Sequence, residues 1–149
     1  MSDNQVSTLA FRLLADLLAA ANAARFAVRA VSAAHFPQPH ALFEESAALC
    51  DDTTELALNL LRGTGDYASL NLVELASATP ALRIFRPSVP GDVATALRSA
   101  HGGIAELLVA VRDLVDASNF GAVSAAAIQH TGIAGALAGA QEVPTIVGV

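Results

Sequence analysis

Apolar residues in this chain recur at three- and four-residue steps over four long stretches, and nowhere do they alternate with polar ones for more than a few residues. The first spacing places side chains on one face of a helix; a half-buried strand needs the second. A chain patterned this way folds as packed helices. Leu9, Leu13, Leu14, Leu17 and Leu18 open the first, predicted over Ser7 to Ala34 with Ser7 as its cap. Pro37 and Pro39 interrupt it, because a proline disfavours helix in the residue before it. A second helix follows over Pro39 to Arg62, with proline in its first turn and Gly63-Thr64-Gly65 at its end.

Asp66 to Pro90 is irregular: Leu70, Leu72, Val73 and Leu75 suit a short helix, and Ser77-Ala78-Thr79-Pro80 breaks the chain. A third helix spans Asp92 to Asp116 on Val93, Leu97, Ile104, Leu107, Leu108, Val111 and Leu114, with Gly102-Gly103 expected at a close helix approach. Ser118-Asn119 caps a fourth over Phe120 to Glu142; Pro144 stops it and Ile146 to Val149 forms a tail. Four helices with one long connection between the second and third make an all-α four-helix bundle with a crossover, the ferritin-like layout. Alanine, about a fifth of the 149 residues, permits close helix approach. The length suits one domain, with the bundle over about residues 7–142 and short tails.

Composition removes several function classes. The single cysteine, Cys50, excludes a disulfide framework within the chain and reads as a small buried hydrophobe. Net charge is −6, and all eight basic residues are arginines, so clustered positive charge for nucleic acid is not expected. Charged residues are only 15% of the chain, which suggests that other subunits cover part of the surface. No signal peptide opens the sequence, and a cytoplasmic location is expected. Phe120 to Ala140 carries no formal charge and is long enough to span a bilayer. It is mostly alanine and glycine with Ser124, Gln129, His130 and Thr131 interleaved, so a bundle helix is expected rather than a membrane span.

Few residues invite chemistry. Gly63-Thr64-Gly65 is too short for a phosphate loop and lacks its lysine. Arg83 and Arg86 read as solvated or subunit-contact residues. On the second helix, His40 and Glu44 stand one turn apart, and Glu55 and Asn59 repeat the spacing. An imidazole one turn from a carboxylate is half of a divalent-metal site. His35, His101 and His130 have no such acid pair and read as packed or hydrogen-bonded histidines.

At these residues the chain resembles the Dps family of mini-ferritins, which protect DNA during starvation. Leu13-Leu14-Ala15-Asp16 matches an LLAD in that family's first helix. Phe36 and His40-Ala41-Leu42-Phe43-Glu44-Glu45 match its F-x-x-L-H-x-x-F-E-E stretch. Gly65 falls where the second helix closes, His101 matches a third-helix histidine, and His130-x-x-x-Ala134-x-x-Leu137 follows a fourth-helix pattern. The resemblance implies a closed homo-oligomer, a dodecamer, in which two subunits share a ferroxidase site at each two-fold axis. One subunit would supply His40 and Glu44, the other Glu55 and Asn59, to iron (Fe2+/Fe3+). The family's further histidine falls on Val28, and Asn59 stands where relatives carry a carboxylate. Hard cations need anionic oxygen to offset lost hydration, so the site is incomplete. Asn119 to Gln129 also lacks the acids that line the family's pores, and the basic DNA-binding arm is missing. The expectation is iron binding with weak or lost ferroxidase activity. The alternatives are an inactive structural or partner-binding shell subunit, or a chain that co-assembles with an active paralogue.

Overall fold

The computed structural model describes residues 2–64 and 90–140. They form four helices: α1 Ser2–Ala30, α2 Pro37–Thr64, α3 Pro90–Arg112 and α4 Ala117–Ala140. No strand occurs among the described residues, so the expected all-α class and four-helix bundle are what the chain adopts. The expected irregular segment and short helix, Arg83, Arg86, Gly65 and the expected tail lie outside the described residues.

Short links make α1 and α2, and α3 and α4, antiparallel pairs. α1 packs on α2 and α3, and α4 packs on α2 and α3, which leaves α1/α4 and α2/α3 on the diagonals. At one end of the bundle, Val6 of α1 lines a cleft with Leu60, Gly63 and Thr64 of α2, with Leu114 to Asp116 of the last link and with Asn119 of α4.

Helix ends differ from the sequence expectation for identifiable reasons. α1 begins at Ser2, so Ser7 lies inside it and is no cap. It closes at Ala30, because the Ser32 hydroxyl turns to the Nδ1 atom of His35, 3.0 Å away, and the Ser32 carbonyl accepts from the Phe36 amide at 2.8 Å. α2 starts at Pro37, two residues early: a first-turn amide has no helical acceptor anyway, so both prolines fit there. The His40 amide donates to the Phe36 carbonyl at 3.0 Å, closing that turn. At α4 the cap is Asp116 rather than Ser118-Asn119. Its Oδ1 accepts from the Asn119 amide at 3.2 Å and from the Ser118 hydroxyl at 2.8 Å. These bonds, that of Ser118 first, hold the Asp116 carboxyl below its ordinary range. Asp116→Ala should therefore lower the melting temperature by a few degrees, and the difference should shrink as acid protonates the cap. Thermal melts at pH 7 and pH 3 check both.

The core is built from Leu13, Leu17, Phe43, Leu97, Ile104, Leu108, Val123 and Leu137, with an alanine row on α1 (Ala10, Ala20, Ala24, Ala27) that lets its neighbours close in. Gly102 and Gly103 do not mark a close approach. A Cβ at either would meet nothing within 4 Å. α1 and α3 are instead separated by a cleft of about 200 Å³, lined by Asp16, Ala19, Ala23, Leu97, Ala100 and Gly103 among others. Gln5–Ala30 of α1 is also long and apolar enough to cross a membrane by composition, but 56% of that apolar window is buried in the bundle. This is the behaviour of a core helix.

Candidate functional site

Buried residues of α2 fall on one stripe: Phe43, Ser46, Cys50, Thr53, Ala57, Leu60 and Leu61. Two of them, Ser46 and Thr53, are hydroxyls seven residues apart, an unusual choice for the centre of an apolar bundle. Opposite them lie His101 of α3 and His130 of α4, both with no exposed surface. The four side chains form one continuous chain of contacts. Ser46 Oγ is 2.6 Å from His101 Nε2, the two Nδ1 atoms are 2.7 Å apart, and His130 Nε2 is 2.7 Å from Thr53 Oγ1.

One proton arrangement satisfies every atom. The Thr53 hydroxyl donates to the Leu49 carbonyl at 2.9 Å, so its oxygen accepts from His130 Nε2–H. His130 then has a bare Nδ1 that accepts from His101 Nδ1–H, and the bare Nε2 of His101 accepts from the Ser46 hydroxyl. Both imidazoles are neutral in this network, and its polar atoms are all paired, as burial requires. Burial lowers the His101 pKa to about 4. Burial, then repulsion from His101, lowers that of His130 to about 3. Cys50, on the same stripe, is pushed up to about 12 by burial first and the Asp51 charge second, with Arg25 opposing. Such a thiol is inert.

Ser46 beside His101, itself oriented by a second histidine, has the connectivity of a nucleophile, base and orienting group. No reactant can reach it, since Ser46 and both rings are fully enclosed. The arrangement can hold three helices in register and keep two neutral imidazoles in fixed tautomers. It contains no carboxylate, so it is unlike the glutamate-rich metal sites built inside ferritin-like bundles.

The residues singled out for metal binding lie elsewhere. At about 100° per residue, His40, Glu44, Glu55 and Asn59 occupy about 100° of arc on the face of α2 opposite the buried stripe. His40 Nδ1 is 3.4 Å from Glu44 Oε1, with the histidine side chain 18% exposed. Glu55 and Asn59 are exposed, and the Asn59 carbonyl accepts from Arg62 at 2.8 Å. Asp51, on this same face, is bonded to Arg25 of α1. Within one chain the four residues make two separate pairs, not one cluster. Among the described residues no three His, Cys, Asp or Glu side chains come together to hold a metal ion. Val28, where the resemblance places a further ligand, packs against the core.

Reading the sequence gave His101 and His130 a packed or hydrogen-bonded role but missed that they bond to each other. Ser46 and Thr53, polar residues at two core positions of one helix, were the available signal. Comparison of the chain with family models, with curated proteins and with solved structures finds no match.

Proposed function

We propose that the protein is a ferritin-like shell subunit of the Dps type that binds iron weakly, as cargo, at a site completed between two chains by His40, Glu44, Glu55 and Asn59. The observation that carries this reading is that all four lie on the outward face of α2, where only a neighbouring chain can bring the two pairs together. Glu44, Glu45, Asp52 and Glu55 are exposed on this helix, so juxtaposed copies would need a cation between them. The crossover that the layout requires has support too. The C-terminal end of α2 and the residues that follow α3 line one cleft at the same end of the bundle, as that layout requires.

Two carboxylates and one imidazole, with a neutral amide, make a poor di-iron site. Iron would bind singly and weakly, and its oxidation by oxygen or peroxide would be slow. A cytoplasmic shell without bound nucleic acid, in which a paralogue could supply active sites, completes the reading. The test is mass and iron content of the purified particle, followed by anaerobic ferrous titration. We expect a large closed oligomer, weak ferrous binding, and a further loss of about 10-fold or more in His40→Ala. A monomer overturns the shell, and fast stoichiometric oxidation overturns the weak site.

A second reading is a structural subunit with no metal at all. The Arg62 bond already held by Asn59 favours it, because that carbonyl would have to exchange partners to ligate. A large particle that takes up no iron would select it.

A further inference from the structure

His101 and His130 aim their Nδ1 atoms at one point between α3 and α4, where the two nitrogens lie 2.7 Å apart. Each ring is held from behind by a hydroxyl on α2: Ser46 Oγ is 2.6 Å from His101 Nε2, and Thr53 Oγ1 is 2.7 Å from His130 Nε2. This is the way imidazoles are set up to ligate a metal, with an outer partner on the far nitrogen fixing tautomer and ring direction. Burial keeps both rings neutral, so what they present to each other at neutral pH is lone pairs and one hydrogen. Folding stability alone does not require the pair, since apolar side chains of the same shape in its place would be nearly neutral.

We propose that His101 and His130 bind one copper(I) ion between their Nδ1 atoms, in the place of the hydrogen they share. Three features select the ion. The first is ligand number. Among the described residues no third His, Cys, Asp or Glu joins the two rings in a metal-binding group, so the ion has to be satisfied by two nitrogens. Copper(I) takes two donors in line, whereas a structural zinc ion takes four. The second is charge. No carboxylate is bonded to the pair among the described residues, and the cost of burying an ion rises with the square of its charge, so a monovalent ion enters where a divalent one does not. The third is ligand type: imidazole suits copper, and the hard cations that seek carboxylate oxygen find none here.

Binding balances without loss of a proton. The hydrogen on His101 Nδ1 moves to Nε2, which then donates to the Ser46 oxygen as His130 Nε2–H donates to that of Thr53. The Ser46 hydroxyl turns to a helix carbonyl, as Thr54 does. Both rings stay neutral, both Nδ1 lone pairs face the ion, and the core gains one positive charge. Metal–nitrogen bonds of about 2 Å in line set the two Nδ1 atoms about 4 Å apart, so the rings part by about 1 Å. Neither ring has any exposed surface, so entry waits on opening of the bundle and loading is efficient during refolding. The site uses none of His40, Glu44, Glu55 or Asn59 and stands whether or not iron binds.

The test is to refold the full chain anaerobically with copper(I), strip loose metal with a chelator, and measure bound copper and the melting temperature. The natural chain should retain one copper and melt higher than the metal-free protein. X-ray absorption should show two nitrogen neighbours in line. His101→Leu combined with His130→Leu, its folding checked by circular dichroism, should lower copper retention about 10-fold or more. Cys50→Ser should retain it. A natural chain that retains no copper overturns the proposal, and so does a double variant that retains as much as the natural chain. Loss of copper in Cys50→Ser would give the ion to the thiol and overturn it as well. A sulfur neighbour, or more than two ligands, in the natural chain's absorption spectrum overturns it however the variants fold.

Discussion

Acidification from pH 7 to pH 4 should remove several kcal/mol of folding stability, with the steepest loss below pH 6.5. Unfolded, His101 and His130 take protons near pH 6.5; folded, they resist until about pH 4 and about pH 3. Between those limits the unfolded chain binds more protons than the folded one, so unfolding is favoured as pH falls. Each histidine contributes a slope of about 1.4 kcal/mol per pH unit inside its window, and above pH 6.5 the stabilisation is complete. The geometry explains why the folded state refuses the proton. A proton on the bare Nδ1 of His130 would set two N–H groups face to face, burial resists one on the Nε2 of His101, and among the described residues no carboxylate is bonded to the pair. The groups lining it are Ser46, Cys50 and Thr53 of α2, and the thiol stays neutral. The nearest acid on α1, Asp16, sits in the α1/α3 cleft beside Ala100. Burial raises its carboxyl while Arg12 opposes, so its protonation favours the folded state and offsets part of the loss at the acid end. Urea unfolding at half-unit steps from pH 7.5 to pH 4 reads the slope; a flat profile would contradict the neutral pair.

His130→Leu should cost about 1–3 kcal/mol, and His101→Leu combined with it should restore most of that loss. Removing one ring strands the Nδ1–H of His101 and the Thr53 oxygen in a dry core, and an unpaired buried polar group costs more than a made bond returns. Removing both rings strands only two hydroxyls. Thr53 already donates to the Leu49 carbonyl, and Ser46 can turn to a helix carbonyl as Thr54 and Thr131 do. Two leucines then fill a similar volume with apolar contacts. The double variant should lie within about 1 kcal/mol of the natural chain, a strongly non-additive cycle. It should also flatten the acid slope, which links the two experiments. Chemical denaturation at pH 7.5 measures all three variants. Additive losses would mean that each ring contributes by packing alone.

What the pair does for the bundle follows from these costs. Leucine and alanine faces tolerate several helix rotations and slides of similar energy, whereas a bonded chain across three helices tolerates one. Ser46 and Thr53 on α2, His101 on α3 and His130 on α4 therefore specify register more than they add stability.

The four long helices and their faces were legible in the sequence because they rest on local periodicity. Leu9 to Leu18 on α1 and Val93 to Val111 on α3 repeat at helical spacing whatever surrounds them. The i, i+4 pairing of His40 and Glu44 was legible for the same reason, and so was the charge-free run of α4. Helix ends were not: whether Ser7 or Ser2 begins α1, or Asp116 rather than Ser118 caps α4, depends on which side chain reaches which amide. Nor was the open space at Gly102 and Gly103, since helix separation is set by every residue along both helices. The pairing of His101 with His130, 29 positions apart on two helices, and of both with hydroxyls on a third, was decided only when packing brought the faces together. Periodicity determines which side of a helix is buried; only the tertiary structure decides which buried atoms meet, because that depends on the rotation and height of each helix against its neighbours.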